Sequence, residues 1–331
     1  MPDPILEPTA RSELAAKATP SAPLWRRALP FVLALGLVAF VVRKLDFRTF
    51  VRHLGAVNAP AFLAFEVAFV LALLSADTFA TVLVYRRSVA PIRFRDFWIL
   101  RGASYLPSVL NHHVGQAFIT YFVARRYGTP LARVAGATLL VYASWSGCVL
   151  GLGCLALLLN GKPLPWLAAV LAAGVLYLAL IAARPRRLAE TKLLAPLFEA
   201  GVVGHLVALV SRIPHLVVLF LGTWIPFLFF GVTIPFKDAV AYIPILMVAV
   251  TLPITPQGFG TRDLLAGALF ARFAPGDTEE GRLAMLAAVT TSWGVAITLI
   301  DLLVGFALMR VASVELEKTA ERAPEPLPRS G

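Results

Sequence analysis

The sequence predicts an all-α, polytopic integral membrane helix bundle, and three observations predict it. Of 331 residues, 59% are apolar and 15% are charged, against about 25% charged in an ordinary soluble domain. The mean hydropathy is +0.79, so a soluble fold of this size would lack the polar surface to stay in solution. The cations stand at the ends of apolar runs, as in Arg26-Arg27, Arg43-Lys44, Arg86-Arg87, Arg125-Arg126 and Arg184-Pro185-Arg186-Arg187, where membrane helices meet anionic headgroups.

These observations exclude soluble enzymes, disordered regulators and disulfide-stapled secreted domains. The net charge of +11 is not a nucleic-acid footprint, because the basic residues do not gather on one soluble face. The two cysteines, Cys148 and Cys154, lie in one apolar run and build neither a disulfide framework nor a zinc site. No cofactor and no metal are expected. Nor is a catalytic residue assigned, since the chain has no nucleophile elbow, Walker loop, dinucleotide fingerprint or metal-ligand spacing.

Taken in order, residues 1–27 are polar and proline-bearing and read as a disordered tail. The run 28–42 is short for a span, but Trp25 and the flanking arginines extend it, and its long polar lead-in argues against a cleaved signal. Residues 60–85 form a second span, interrupted by Glu66 and Asp77. Their spacing puts both acids on one helical face, roughly 16 Å apart along the axis. An acid facing lipid costs several kcal/mol, so that face looks into protein or water.

Residues 97–127 are too apolar for a loop and too polar at their centre for a lipid-facing span. Pro107 and Gly115 are the expected structural breaks, with Asn111, His112, His113 and Gln116 as the polar centre. Two half-helices, re-entrant or broken, fit this pattern, and such backbone is tolerated only beside protein or a wet cavity. Adjacent histidines point to different faces of a helix and make a poor joint metal site.

Spans at 134–159 and 164–183 follow, with a Gly147/Gly151 pair read as close helix packing. Residues 193–210, with Glu199, Gly201, Gly204 and His205, read as a poor span or an interfacial helix. Further spans are expected at about 213–235, 239–256 and 283–309, then a polar, disordered tail at 311–331. The count is seven full spans plus the broken segments, with eight as the alternative, in one transmembrane domain over 28–310.

The second odd segment is Leu252-Pro253-Ile254-Thr255-Pro256-Gln257-Gly258-Phe259-Gly260-Thr261-Arg262-Asp263. Pro253 and Pro256 break the helix. Gly258 and Gly260 let the backbone turn its N–H groups toward an anion, and Arg262 adds a guanidinium fork that holds phosphate. Thr255, Gln257 and Asp263 complete the candidate cradle, at the start of a short helix. The plainer reading is a surface turn with an ordinary Arg–Asp pair. Deep in the last span, Asp301 is a functional candidate by its depth, with a helix-to-helix hydrogen bond as the alternative and Arg101 or Arg262 as potential partners.

A faint internal repeat links the two odd segments. Leu106-Pro107 matches Leu252-Pro253, Ala124-Arg125 matches Ala271-Arg272, and Ser144-Trp145 matches Ser292-Trp293. Duplicated halves with interrupted segments in matching positions mark the substrate path of many transporters.

The stretch from Leu252 to Asp263 resembles the second signature of the flippase-like lysylphosphatidylglycerol synthase transmembrane-region family, Leu-Pro-x-x-Pro-x-Gly-x-Gly-x-Arg-Glu, with Asp263 in place of Glu. Tyr105-Leu106-Pro107 through Gly115-Gln116 resembles the first signature, with Gln116 where that pattern has an acid. The resemblance covers about residues 28–310. It implies a multi-pass protein of a bacterial-type inner (plasma) membrane, standing alone without a soluble aminoacyl-transferase half. Its expected activity is flippase-like transport of a lipid or lipid-linked carrier.

On this reading a phosphate-bearing, anionic lipid headgroup enters a polar cavity between the two broken segments. Arg262 and the glycine backbone hold its phosphate, Asn111, His112 and Gln116 line the other wall, and Glu66, Asp77 and Asp301 balance charge or couple protons. The expected partners are membrane lipids, with a separate synthase or glycosyltransferase as a candidate protein partner. Two other classes stay open: an integral-membrane transferase acting on a lipid-linked substrate, with Asp263 or His112 as base, and a membrane scaffold for a separate synthase.

Overall fold

The computed structural model divides the chain into two units, residues 1–44 and 45–331. It describes, within the second, residues 57–110, 112–159, 164–251 and 261–321, with Gly55 and Gly161. The span expected at 28–42, Asn111 and the segment 252–260 lie outside the described residues. Every regular element among the described residues is helical, and apolar helices long enough to cross a membrane recur along the chain. This is the all-α membrane bundle the sequence predicts.

Helix α1, Ala59–Ser88, starts at Asn58, whose side chain accepts the Ala61 N–H at 3.2 Å, with Pro60 in the first turn and Arg86 and Arg87 in the last. Its 30 residues reach about 45 Å, longer than the hydrocarbon layer, so both ends stand among headgroups. Three pieces follow: α2 (Phe94–Ala103), α3 (Tyr105–Leu110) and α4 (His112–Tyr127). Then come α5 (Leu131–Leu159), α6 (Leu164–Ala183) and α7 (Ala195–Phe229). The chain ends its described course with α8 (Phe236–Thr251), α9 (Thr261–Phe270) and α10 (Glu279–Glu321).

Polar contacts fix which helix ends lie together. Arg133, at the start of α5, donates from Nε to the Ser88 carbonyl at the end of α1 (2.7 Å) and pairs with Glu199 at the start of α7 (2.6 Å). Arg126, ending α4, pairs with Asp96, beginning α2, at 3.0 Å. The chain over 94–127 therefore enters and leaves at one end of the bundle. It turns back sharply in between: a Cβ built on Gly115 would stand 2.9 Å from the Ser104 carbonyl oxygen, where a straight helix would separate the two residues by about 16 Å.

The helices on either side of residues 252–260, α8 and α9, pair in the same way at the other end. Arg272, just past α9, ion-pairs with Asp238 at the start of α8, and α8 packs on α9. Since α7 runs from the first end to the second, this hairpin enters from the second end, and α10 then crosses back. The order span, hairpin, span thus occurs twice, as α1 through α5 and as α7 through α10, in opposite directions. The first leg of each hairpin packs on the closing span of the other unit, α2 on α10 and α8 on α5. The faint sequence repeat corresponds to an inverted duplication.

Several boundaries differ from the sequence reading. Residues 193–210 and the span expected at 213–235 form the single helix α7, kinked at Gly201 (φ 59°) and carrying Pro214 and Pro226. The left-handed Gly201 bends the chain without ending it. Of the segment expected as a span at 239–256, residues 239–251 form the first leg of the second hairpin. Helix α10 runs on past 311, because Glu315-Leu316-Glu317-Lys318 and Ala320 are strong helix formers. Pro107 and Gly115 are not the breaks themselves. Both lie inside helices, α3 and α4; the interruption among the described residues falls at Ser104, and position 111 is not among them. Pro107 sits in the first turn of α3, where its missing N–H costs little, and Gly115 lets α4 lie against Ser104 and Ser108.

Of the glycine pair in α5, Gly147 meets Leu209 of α7, while nothing lies within 4 Å of a Cβ on Gly151. Helix α6 stands at the periphery and exposes Val175 and Leu176 by 68% and 72%, apolar surface that suits lipid rather than water.

Candidate functional site

The two hairpins dip toward each other along α10. On the first side, Ala312 packs with Ile99 and Ala103, Leu308 meets Gly102, and Gly305 meets Tyr105 and Leu106. On the second, Gly267 meets Leu283, Thr290 donates to Asp263, and Arg262 lies over the Trp293 ring at 4.4 Å. Between the two tips α10 presents Gly294, Ile297 and Asp301, one helical face, to a cavity of about 540 Å³. Such a volume is that of a small-molecule site.

The wall draws on both hairpins and on the spans around them. The first hairpin contributes Arg101, Tyr105, Ser108, His112, His113 and Gln116. Arg262 and Met247 come from the second hairpin, Phe69, Val70 and Asp77 from α1, Tyr142 and Trp145 from α5, and Arg212 and His215 from α7. The matched tryptophans of the repeat, Trp145 and Trp293, both face this space. Both histidines line it too, with ring centroids 5.9 Å apart and His112 edge-on to Tyr142. Adjacent helical residues diverge by about 100°, yet from the start of α4 both rings reach this wide cavity.

A buried ionic cluster forms one side of the cavity. Asp77 ion-pairs with Arg101, whose Nε stands 2.5 Å from it, and accepts from Arg212 Nη1, while Arg212 Nη2 donates to Thr81 Oγ1 at 3.2 Å. Arg212 is only 2% exposed. One carboxylate thus ties α1 to the first hairpin and to α7. Three guanidiniums, from Arg101, Arg212 and Arg262, share the wall with two carboxylates, Asp77 and Asp301. Because Asp77 is already engaged by two cations, the cavity keeps an excess of positive charge for an anion.

The sequence candidates distribute as follows. His112, Gln116, Asp77, Asp301 and Arg262 stand on the wall. Asp263 does not. One residue on from Arg262 is about 100° around the helix, and its carboxylate accepts from Thr290 on α10 instead. Glu66 is fully buried one turn from the wall residues Phe69 and Val70. Of the two partners suggested for Asp301, Arg101 is held by Asp77 and Arg262 lies over the Trp293 ring. Thr255, Gln257, Gly258, Gly260, Pro253, Pro256 and Asn111 lie outside the described residues. Arg212 and His215 escaped sequence reasoning, although an arginine inside the apolar run 202–230 is by itself the signal of an intramembrane site.

No curated protein matches the chain, and no solved structure matches it. A family model does. With its long apolar helices and paired hairpins this is a multi-pass membrane protein of a family tied to lipid modification and transport: the model described as Lysylphosphatidylglycerol synthase TM region matches residues 27–305, and the chain belongs to that family.

Proposed function

We propose that the protein carries a lipid, or a lipid-linked carrier, with an anionic, phosphate-bearing headgroup between the leaflets of a bacterial-type inner membrane. The observation that carries this reading is the cavity between two hairpins from opposite ends, with three guanidiniums on its wall. A charged headgroup pays several kcal/mol to cross hydrocarbon, and fixed guanidiniums replace much of the water it loses. The inverted duplication supports the same reading, since two units of opposite direction give two related states, each open at one end.

In this account Arg262 holds the phosphate at the tip of the second hairpin. His112, Gln116 and Tyr142 supply donors and acceptors from the opposite side, while the acyl chains stay in lipid. Asp77 orients Arg101 and Arg212 and does not itself meet the headgroup.

The test is reconstitution of the full chain in liposomes containing fluorescent phosphatidylglycerol, with transfer between leaflets followed by chemical quenching. Wild type accelerates transfer over protein-free liposomes, and Arg262→Ala loses at least about tenfold of that rate, the weight of one charge-assisted contact. Equal transfer by Arg262→Ala and wild type overturns the phosphate role.

A further inference from the structure

The ionic cluster occupies one part of the cavity wall, and another part is built from polar and aromatic side chains. On α5, Tyr142, Trp145 and Ser146 follow the spacing of one helical face, and all three line the cavity. On α4, His112 and Gln116, one turn apart, line it likewise. The His112 ring stands edge-on to Tyr142 with centroids 6.3 Å apart, so the two faces join into one wall.

These side chains leave their polar atoms unused within the protein. The Tyr142 hydroxyl is enclosed without a hydrogen-bond partner, and the side chains of His112, Gln116 and Ser146 hydrogen-bond to no described residue. Elsewhere in the bundle, helical hydroxyls are satisfied locally: Ser144, Ser211, Thr223 and Thr298 each donate to a carbonyl three or four residues back. Trp145 meets no ring and no cation among the described residues, whereas Trp293 is covered by Arg262. On α10, Asp301 also lines the cavity without a hydrogen bond or ion pair to a described residue. Polar groups withdrawn from bulk water call for partners, and here the protein supplies none.

We propose that the headgroup carries a polyhydroxylated ring, a sugar or a cyclitol, joined to the lipid through its phosphate. The inference rests on the reading of the cavity as a headgroup site and adds which headgroup it takes. The guanidiniums hold the phosphate, and the ring lies against Trp145, whose flat apolar face covers its C–H face. Ring hydroxyls both donate and accept. So do the hydroxyls of Tyr142 and Ser146, the Gln116 amide and the His112 imidazole. Asp301 accepts from ring hydroxyls in charge-assisted bonds.

Simpler headgroups match this wall less well. A bare phosphate monoester would engage the guanidiniums and leave the faces of α4 and α5 unbonded. An ammonium group would suit Asp301, but it has no acceptor to offer the donors of Gln116, Tyr142 and Ser146.

The experiment is calorimetric titration of the purified full chain with dihexanoyl lipids that differ only in the headgroup: phosphatidylinositol, phosphatidylmethanol, which has the same single charge and no hydroxyl, and phosphatidylethanolamine. Wild type is expected to bind the inositol lipid at least about tenfold more tightly than the methanol lipid, because the latter leaves the wall's donors and acceptors unmatched. Trp145→Leu and Gln116→Leu each lower that ratio at least about threefold, whereas a merely loosened cavity would weaken both lipids together and keep the ratio. Equal binding of the inositol and methanol lipids by wild type overturns the inference and leaves the headgroup reading standing. Tighter binding of the ethanolamine lipid also overturns it, assigning Asp301 to an ammonium group. Glycerophosphoinositol, which lacks the acyl chains, is expected to bind more weakly than the lipid; equal affinity overturns the lipid linkage and makes the ligand a water-soluble polyol phosphate. Absence of binding by all three lipids overturns the headgroup reading and this inference with it. Should either variant fail to fold, the wild-type ratio still decides.

Discussion

Asp77 and Arg212 form an ion pair between two spans in the middle of the bundle, and the same carboxylate also holds Arg101 of the first hairpin. A single acid therefore neutralises part of a doubly cationic wall and ties together α1, α2 and α7. Removing one member of a buried pair leaves its partner uncompensated, which costs more than the pair contributes.

Asp77→Ala is expected to destabilise the protein by about 3–5 kcal/mol, read as a lowered thermal midpoint in detergent. The double variant Asp77→Ala with Arg212→Leu recovers part of the loss, because one orphaned charge goes with its partner. If the single variant melts like wild type, the cluster is not a structural clasp.

Gly115 and Gly151 give a matched test of the hairpin. Both are helical, and alanine at an unobstructed helical position is favoured over glycine by about 1 kcal/mol. Nothing lies within 4 Å of a Cβ on Gly151, whereas one on Gly115 meets the Ser104 carbonyl oxygen and Ser108 Cβ at 2.9 Å. Gly151→Ala is expected to leave the thermal midpoint equal or raised. Gly115→Ala lowers it, overpacking costing about 1–3 kcal/mol, and slows leaflet transfer. The same response from both variants contradicts the tight turn.

The inverted arrangement fixes which side each hairpin mouth faces. With Cys148 and Cys154, both buried, replaced by alanine, Asp96→Cys and Asp238→Cys are expected to react with a membrane-impermeant maleimide from opposite faces of oriented vesicles. Reaction from one common face contradicts the topology. Since the Arg272–Asp238 pair is partly exposed, with Arg272 57% accessible, opening it costs at most about 1 kcal/mol, so the substitution keeps the fold intact.

Much of this was legible before any coordinates. Apolar runs ending in arginines gave the bundle, while Pro253, Pro256, Gly258 and Gly260, read as the break before Arg262, lie outside the described residues. The repeat offset pointed to Trp145 and Trp293, which meet at one cavity. What escaped reading depends on direction and contact. Residues 193–210, read as a poor span or an interfacial helix separate from the span at 213–235, are the first half of α7, which Gly201 only bends. With α7 split, the chain direction at 236 was lost, and the inverted order with it. Pro107 and Gly115 announced a break but not its place, because proline is harmless in a first turn and glycine serves close approach as well as flexibility. Arg212 went unread among the apolar residues around it, and its partner Asp77 lies far away in sequence.

A more local prediction concerns the headgroup wall. Arg212 lines the cavity wall and is pinned by Asp77, so Arg212→Lys keeps the charge and loses the two-pronged contact to Asp77 and Thr81. Leaflet transfer is expected to fall several-fold, with a melting change of about 1–2 kcal/mol. Transfer at the wild-type rate would show that the fork geometry is dispensable.

The claim on which the rest depends is that both hairpin tips look into one headgroup-sized chamber, and thiol protection tests it most directly. Gln116→Cys, on the first hairpin, and Ile297→Cys, on α10 between the tips, are made singly without the native cysteines and treated with a small water-soluble thiosulfonate. The account predicts that both react and that dihexanoyl phosphatidylglycerol protects both over the same concentration range. Protection of only one, or reaction of both with no protection of either, would contradict it.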